Sequence, residues 1–160
     1  MVANRGVTRM GDLLAAVGAA QTNIDRLARP DALRAAAEEI SKVAHASGAQ
    51  ALLAASPVAE RLVGAVLSIT DDLVNLDSYL RGNQRVLIVD VNFASGTAVA
   101  QAARTARNAG AQYIQAAVLH QLTPVTAGAN ACGVDDLVVL SDEDHADDEP
   151  SGSTSSGLWW

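Results

Sequence analysis

The sequence predicts an α/β domain on a mainly parallel sheet flanked by helices, followed by a flexible acidic C-terminal tail. Three observations carry this. Short, branched apolar runs alternate with longer stretches of helical periodicity, the pattern of a sheet covered on both faces. Apolar residues make up 49% of the 160 and aromatics only 3%, so Ala, Val and Leu supply a core in which helices lie close on a sheet. The composition then changes abruptly after Leu140, where six acids (Asp142, Glu143, Asp144, Asp147, Asp148, Glu149) precede a Ser/Gly-rich stretch and Leu158-Trp159-Trp160.

Residues 1–9 are polar. Leu13, Leu14, Val17, Ala20, Ile24 and Leu27 recur at helical spacing and predict an amphipathic helix that Pro30 breaks. Asp31 is placed to cap a second helix, whose stripe through Leu33, Ala36, Ala37, Ile40, Val43 and Ala44 stops at Gly48. Residues 50–55 read as a buried strand, 60–69 as a helix and 71–80 as a short strand. The clearest strand is 85–90, whose four consecutive branched apolar residues suit burial on both faces. A loop at 91–96, an alanine-rich helix at 97–108, a buried strand at 113–119, an irregular stretch at 121–133 and a last strand at 134–140 complete the order.

The net charge of −7 belongs to the tail. No Lys or Arg follows Ser141, so residues 1–140 are close to neutral and show no basic stripe for nucleic acid. Cys132 is the single cysteine, which excludes a disulfide framework or a cysteine metal cluster and reads as a small buried residue. There is no secretory signal pattern and no apolar run of the ~18 residues that span a bilayer, so no membrane role is expected and the location is read as cytoplasmic. The organisation is a domain at 1–140 and a tail at 141–160.

The chemistry-bearing stretch is 85–97. A strand ends in Asp90, a loop of mostly small residues follows (Val91, Asn92, Phe93, Ala94, Ser95, Gly96), and a helix begins at Thr97. The first N–H groups of a helix lack internal partners and carry partial positive charge, so this arrangement favours an anion. The Ser95 and Thr97 hydroxyls can donate to phosphate oxygens, and Asp90 can accept from sugar hydroxyls. Gly96 is expected to let the phosphate approach, so that valine there would obstruct it. His120, directly after a strand, and His45, on a helix flank, are weaker candidates.

Over roughly residues 31–120 the sequence resembles the type I phosphoribosyltransferase family. Leu87, Ile88, Val89 and Asp90 match that family's strand and first acid, and Ser95-Gly96-Thr97 matches its phosphate loop. The turn Ser56-Pro57-Val58-Ala59 occupies the place of its pyrophosphate loop. The resemblance implies a phosphoribosyltransferase-like fold, Asp90 as the catalytic carboxylate, and residues 92–97 and 56–59 as ligand contacts. It also implies phosphoribosyl pyrophosphate with Mg2+ as a possible cofactor, and no protein-built metal cluster. Three departures stand against full activity. The family's second acid falls at Val91; its basic mobile loop would lie between Ile69 and Arg85, a stretch holding Asp71, Asp72 and Asp77; and the 56–59 turn lacks a cation.

The expectation is therefore a protein that binds a phosphoribosyl ligand or nucleotide with weak or no transfer activity, as a sensor, regulator or assembly part. The alternatives are an active Mg-dependent phosphoribosyltransferase acting on a nitrogen base, and a structural interaction protein with a vestigial loop. If activity is merely low, aspartate at 91 is expected to raise it. A homo-oligomer is expected, and Leu158, Trp159 and Trp160 are read as a docking element for a protein partner or neighbouring subunit, because free aromatics on a polar linker are costly to leave wet.

Overall fold

A computed structural model of the chain describes residues 10–76, 84–122 and 129–140. Two helices open it, α1 (Met10–Arg26) and α2 (Pro30–Ser47). Pro30 does not merely break the first helix. It starts the second, because its fixed φ suits the first helical position and its missing N–H is not needed there. The residue ahead of the helix is Arg29, with no side-chain cap bond. Asp31, expected as the cap, instead lies in the first turn in an exposed pair with Arg29 at 3.2 Å. Gly48 closes α2 in the left-handed conformation, φ +68°.

The α2 stripe buries Ala37, Ile40 and Ala44 as its periodicity requires. The α1 stripe does so only at its end. Leu27 is buried, but Leu14 and Val17 are 66% and 67% exposed. The apolar face of α1 thus meets the body of the protein near its C-terminal turns.

The sheet is formed by β1 (Ala51–Ala54), β2 (Val74–Asn75), β3 (Gln84–Phe93), β4 (Ala111–Gln121) and β5 (Asp136–Val139). Every pairing is parallel and the spatial order is β2-β1-β3-β4-β5. Helix α3 (Pro57–Ser68) links β1 to β2, α4 (Thr97–Asn108) links β3 to β4, and a 3-10 turn at Ala129–Cys132 precedes β5. Because the strand order reverses after β2, right-handed crossovers put α3 and α4 on opposite faces. Leu52, Leu62, Val66, Leu87 and Val89 pack on one side with α2, while Val86, Ile88, Val99, Ala103 and Ile114 pack on the other.

Two boundaries differ from expectation in ways that matter. Strand β3 does not stop at Asp90; it stays paired with β4 through Asn92–His120 and Phe93–Gln121. The polar Asp90 and Asn92 hide that continuation from a reading by hydropathy. Helix α3 begins at Pro57 and not at 60, with Ser56 as its cap. Strand β2 has two residues, and part of the stretch read as the family's mobile loop (77–83) falls outside the described residues, as does the tail with Leu158, Trp159 and Trp160. Among the described residues no helix is long and apolar enough to cross a membrane.

Candidate functional site

In an open parallel sheet the ligand crevice opens where the strand order reverses, beyond the carboxyl ends of the two strands that flank the reversal. Here those strands are β1 and β3. Ser56 follows the first and Asp90 lies near the end of the second. The two residues are 34 apart in sequence, yet the Ser56 hydroxyl donates to Asp90 Oδ1 at 2.7 Å. The backbone N–H of Val91 donates to the same oxygen at 2.8 Å, which leaves Oδ2 outside both bonds.

Asp90 is only 5% exposed. Burial raises its pKa above the ordinary aspartate value, and the bonds from Ser56 and Val91 oppose that rise. A carboxylate held in partial desolvation at a switch point is the kind of group that active and binding sites retain at a cost in stability.

The following corner, Ala94 to Thr97, turns the chain from β3 into α4. Ala94, Ser95 and Thr97 are exposed. The helix cap is Gly96 in the left-handed conformation (φ +80°), with no side-chain cap bond. The Thr97 N–H donates to Ser95 Oγ at 3.4 Å, and the next N–H groups of the first turn of α4 have no partner further back in the helix. The Ser95 and Thr97 hydroxyls lie 3.0 Å apart and form one polar edge of the corner.

Gly96 has a different duty from the one the sequence suggested. A Cβ on it would meet Cys132 Sγ at 2.7 Å and Phe93 Cζ at 3.2 Å. Its open side faces the core, so a valine there would break the corner itself before it met a phosphate. Cys132 is buried and burial pushes its thiol pKa up, which makes it a packing residue beneath the loop.

Several expected contacts are turned to other work. Asn92 lies in β3, not in a loop; its amide donates to the Ala20 carbonyl of α1 at 3.2 Å and accepts from Asn23 at 2.8 Å. Phe93 is 2% exposed and packs in the core. The 56–59 turn is the first turn of α3: Ser56 Oγ accepts from the Ala59 N–H at 3.4 Å, Pro57 brings no N–H, and Ala59 is fully buried. Val91 is also fully buried, in the apolar cluster of Leu62, Leu87 and Val89. An acid there would point into the core, which runs against the expectation that Val91→Asp raises a low activity. His45 is exposed and bound to the Ser41 carbonyl and Asp72, away from this edge. His120 is half-buried beside Asn92 in the sheet.

One participant was missed in the sequence: Asn23 is buried and ties α1 to Asn92, a partner too far along the chain to leave a local signal. Cys132, read as a small buried residue, is one, and it packs against Gly96. Among the described residues no group of three His, Cys, Asp or Glu side chains comes together. Among the described residues Asp90 has Ser56 and an apolar Val91 beside it and no second carboxylate, a donor set that does not suit a protein-held Mg2+ ion.

No protein-family model matches the chain, and no curated protein matches it. Solved structures do. UMP synthase of Leishmania donovani is 21% identical over 71% of this chain, with a TM-score of 0.57. This chain spans 28% of that one. A purine phosphoribosyltransferase of Pyrococcus horikoshii is 17% identical, covering 65% of this chain and 79% of its own, at a TM-score of 0.44. The hypoxanthine-guanine phosphoribosyltransferase of Schistosoma mansoni, solved with IMP, is 14% identical over 64% of this chain and 55% of its own, at 0.41. The architecture is phosphoribosyltransferase-like.

Proposed function

We propose that residues 1–140 bind a 5-phosphoribosyl compound or mononucleotide at the β1–β3 switch point, with weak or no transferase activity. The observation that carries this reading is the Ser56–Asp90 hydrogen bond, which ties the corner after β1 to β3 at the place where such sheets bind ligands. Asp90 Oδ2 accepts from the vicinal ribose hydroxyls. The α4 N-terminus with Ser95 and Thr97 holds the 5′-phosphate. Both ends of a ribose phosphate are then matched, one by an acceptor and one by donors.

Weak turnover follows from what surrounds Asp90. Expelling pyrophosphate requires positive charge, or a metal, against the leaving group. The 56–59 corner brings an internal cap and an apolar turn, and Val91 brings no second carboxylate. Any Mg2+ would arrive on the ligand's own phosphates. A sensing, regulatory or assembly role fits a site of this kind. A homo-oligomer belongs to the same reading.

Calorimetry with phosphoribosyl pyrophosphate and mononucleotides, with and without Mg2+, is the test. Binding is expected together with pyrophosphate release near background for the common nucleobases. Turnover on the order of 1–10³ per second would establish an ordinary enzyme in its place.

A further inference from the structure

A second cavity lies on the opposite face of the sheet from the Ala94–Thr97 corner, between α1, α2 and the ends of β4 and β5. Its volume is about 220 Å³, and Leu27, Ala35, Ala36, Leu119 and Leu140 form its apolar wall. Arg26, Glu39 and His120 stand around it. Small-molecule sites usually occupy ~300–1,000 Å³, so this cleft suits one or two side chains better than a nucleotide.

Leu140 is both part of the wall and the last described residue. Only 18 residues separate Leu140 from Trp159, most of them acidic, Ser or Gly. A coil of that length and composition has a root-mean-square span of ~24 Å. Tethering at such range gives an effective concentration near the millimolar level, which strengthens even a weak apolar contact. The charges nearest the cleft are of both signs, so burial of aromatic area is the attraction.

We infer that the cleft is the docking site of this chain's own Leu158-Trp159-Trp160 segment. Because Asn23 also lines the cleft and holds Asn92, a docked tail would brace α1 against β3. The inference is independent of the ligand reading.

Trp159 and Trp160 are the only tryptophans in the chain, so intrinsic tryptophan fluorescence of the full chain reports the tail alone. The folded protein is expected to emit to the blue of its urea-unfolded form, with an acrylamide quenching constant at least about threefold lower. Ala35→Glu, at an exposed position on the cleft wall, should return emission and quenching toward the unfolded values. Ala35→Met, which fills the cleft without charge, should do the same, and circular dichroism checks that both remain folded. Ala46→Glu, exposed on the same helix but outside the cleft, should change nothing. The folded-state signal should not depend on protein concentration. Water-like emission in the wild type, indifference to both Ala35 variants, or a signal that appears only with rising concentration would each overturn the inference; the last would mean docking on a second copy.

Discussion

Two corners of this molecule turn a strand into a helix at the same edge of the sheet, and they solve the same problem differently. After β1, Ser56 caps α3 with its own side chain, Pro57 removes an orphan donor, and Ala59 is packed inside. After β3, left-handed Gly96 leads into α4 and brings no side chain to cap it, Ser95 Oγ accepts from the Thr97 N–H at 3.4 Å, and Ala94, Ser95 and Thr97 are exposed. The first corner satisfies itself and spends its free hydroxyl proton on Asp90. The second bonds only within itself, Ser95 to Thr97, and keeps both hydroxyls at the surface. The difference assigns the proposed anion to the exposed α4 corner, and leaves the α3 corner mainly to hold the carboxylate.

The sharpest way to break this comparison is to place the missing acid. Val91→Asp puts a carboxylate into the Leu62–Leu87–Val89 cluster, and the fold should lose about 3 kcal/mol or more at neutral pH. The loss should shrink in acid, where the new side chain is protonated. Urea unfolding at two pH values measures it. A variant as stable as the wild type would show that position 91 can face the ligand crevice.

Next in size is Gly96→Ala. The left-handed conformation and the 2.7 Å approach to Cys132 Sγ together should cost about 2–4 kcal/mol. Adding Cys132→Ala should recover part of that cost, because it removes the clashing sulfur but not the backbone strain. Thermal melting of the single and double variants decides this, and equal melting temperatures would remove Cys132 from the account.

Asp90→Asn keeps an oxygen acceptor for Ser56 and Val91 while removing the charge. Because the folded protein holds the Asp90 proton more tightly than the unfolded chain, this group's contribution to stability is full below its unfolded pKa and falls as pH rises through its elevated folded value. The variant should therefore gain on the wild type as pH rises from about 4 toward neutrality, while ligand affinity falls. Parallel denaturation and calorimetry across that range check both signs. A stability difference that does not change with pH would mean that Asp90 is not a desolvated carboxylate.

The smallest effects concern single donors. Thr97→Ala should weaken phosphate binding by roughly 0.5–1.5 kcal/mol, or more if the bond is charge-assisted, with no measurable change in melting. His45→Gln should leave ligand binding unaltered, since its partners are the Ser41 carbonyl and Asp72. Its pKa is raised by those partners, so any stability it adds is present at low pH and fades as pH rises through the folded value. Loss of binding in this variant, with none in Thr97→Ala, would invert the assignment of the site.

The elements of this fold were legible where local patterns are decisive. Four branched residues before Asp90 announce a buried parallel strand, the alanine-rich repeat after Thr97 announces a helix against the sheet, and the Ser-Gly-Thr stretch between them announces the turn that joins the two. Those features depend on hydropathy period and on small turn residues, and both are written in neighbouring residues. The reach of β3 through Asn92, the inward turn of Val91 and Phe93, and the core-facing side of Gly96 depend on what packs from elsewhere: β4 alongside, α1 through Asn23, and Cys132 beneath. The Ser56–Asp90 bond was equally invisible, because the two residues meet only when the reversed strand order sets β1 beside β3. Sequence alone determined which residues could offer charge and hydrogen bonds. Tertiary packing decided which of them are spent inside the protein and which remain at its surface.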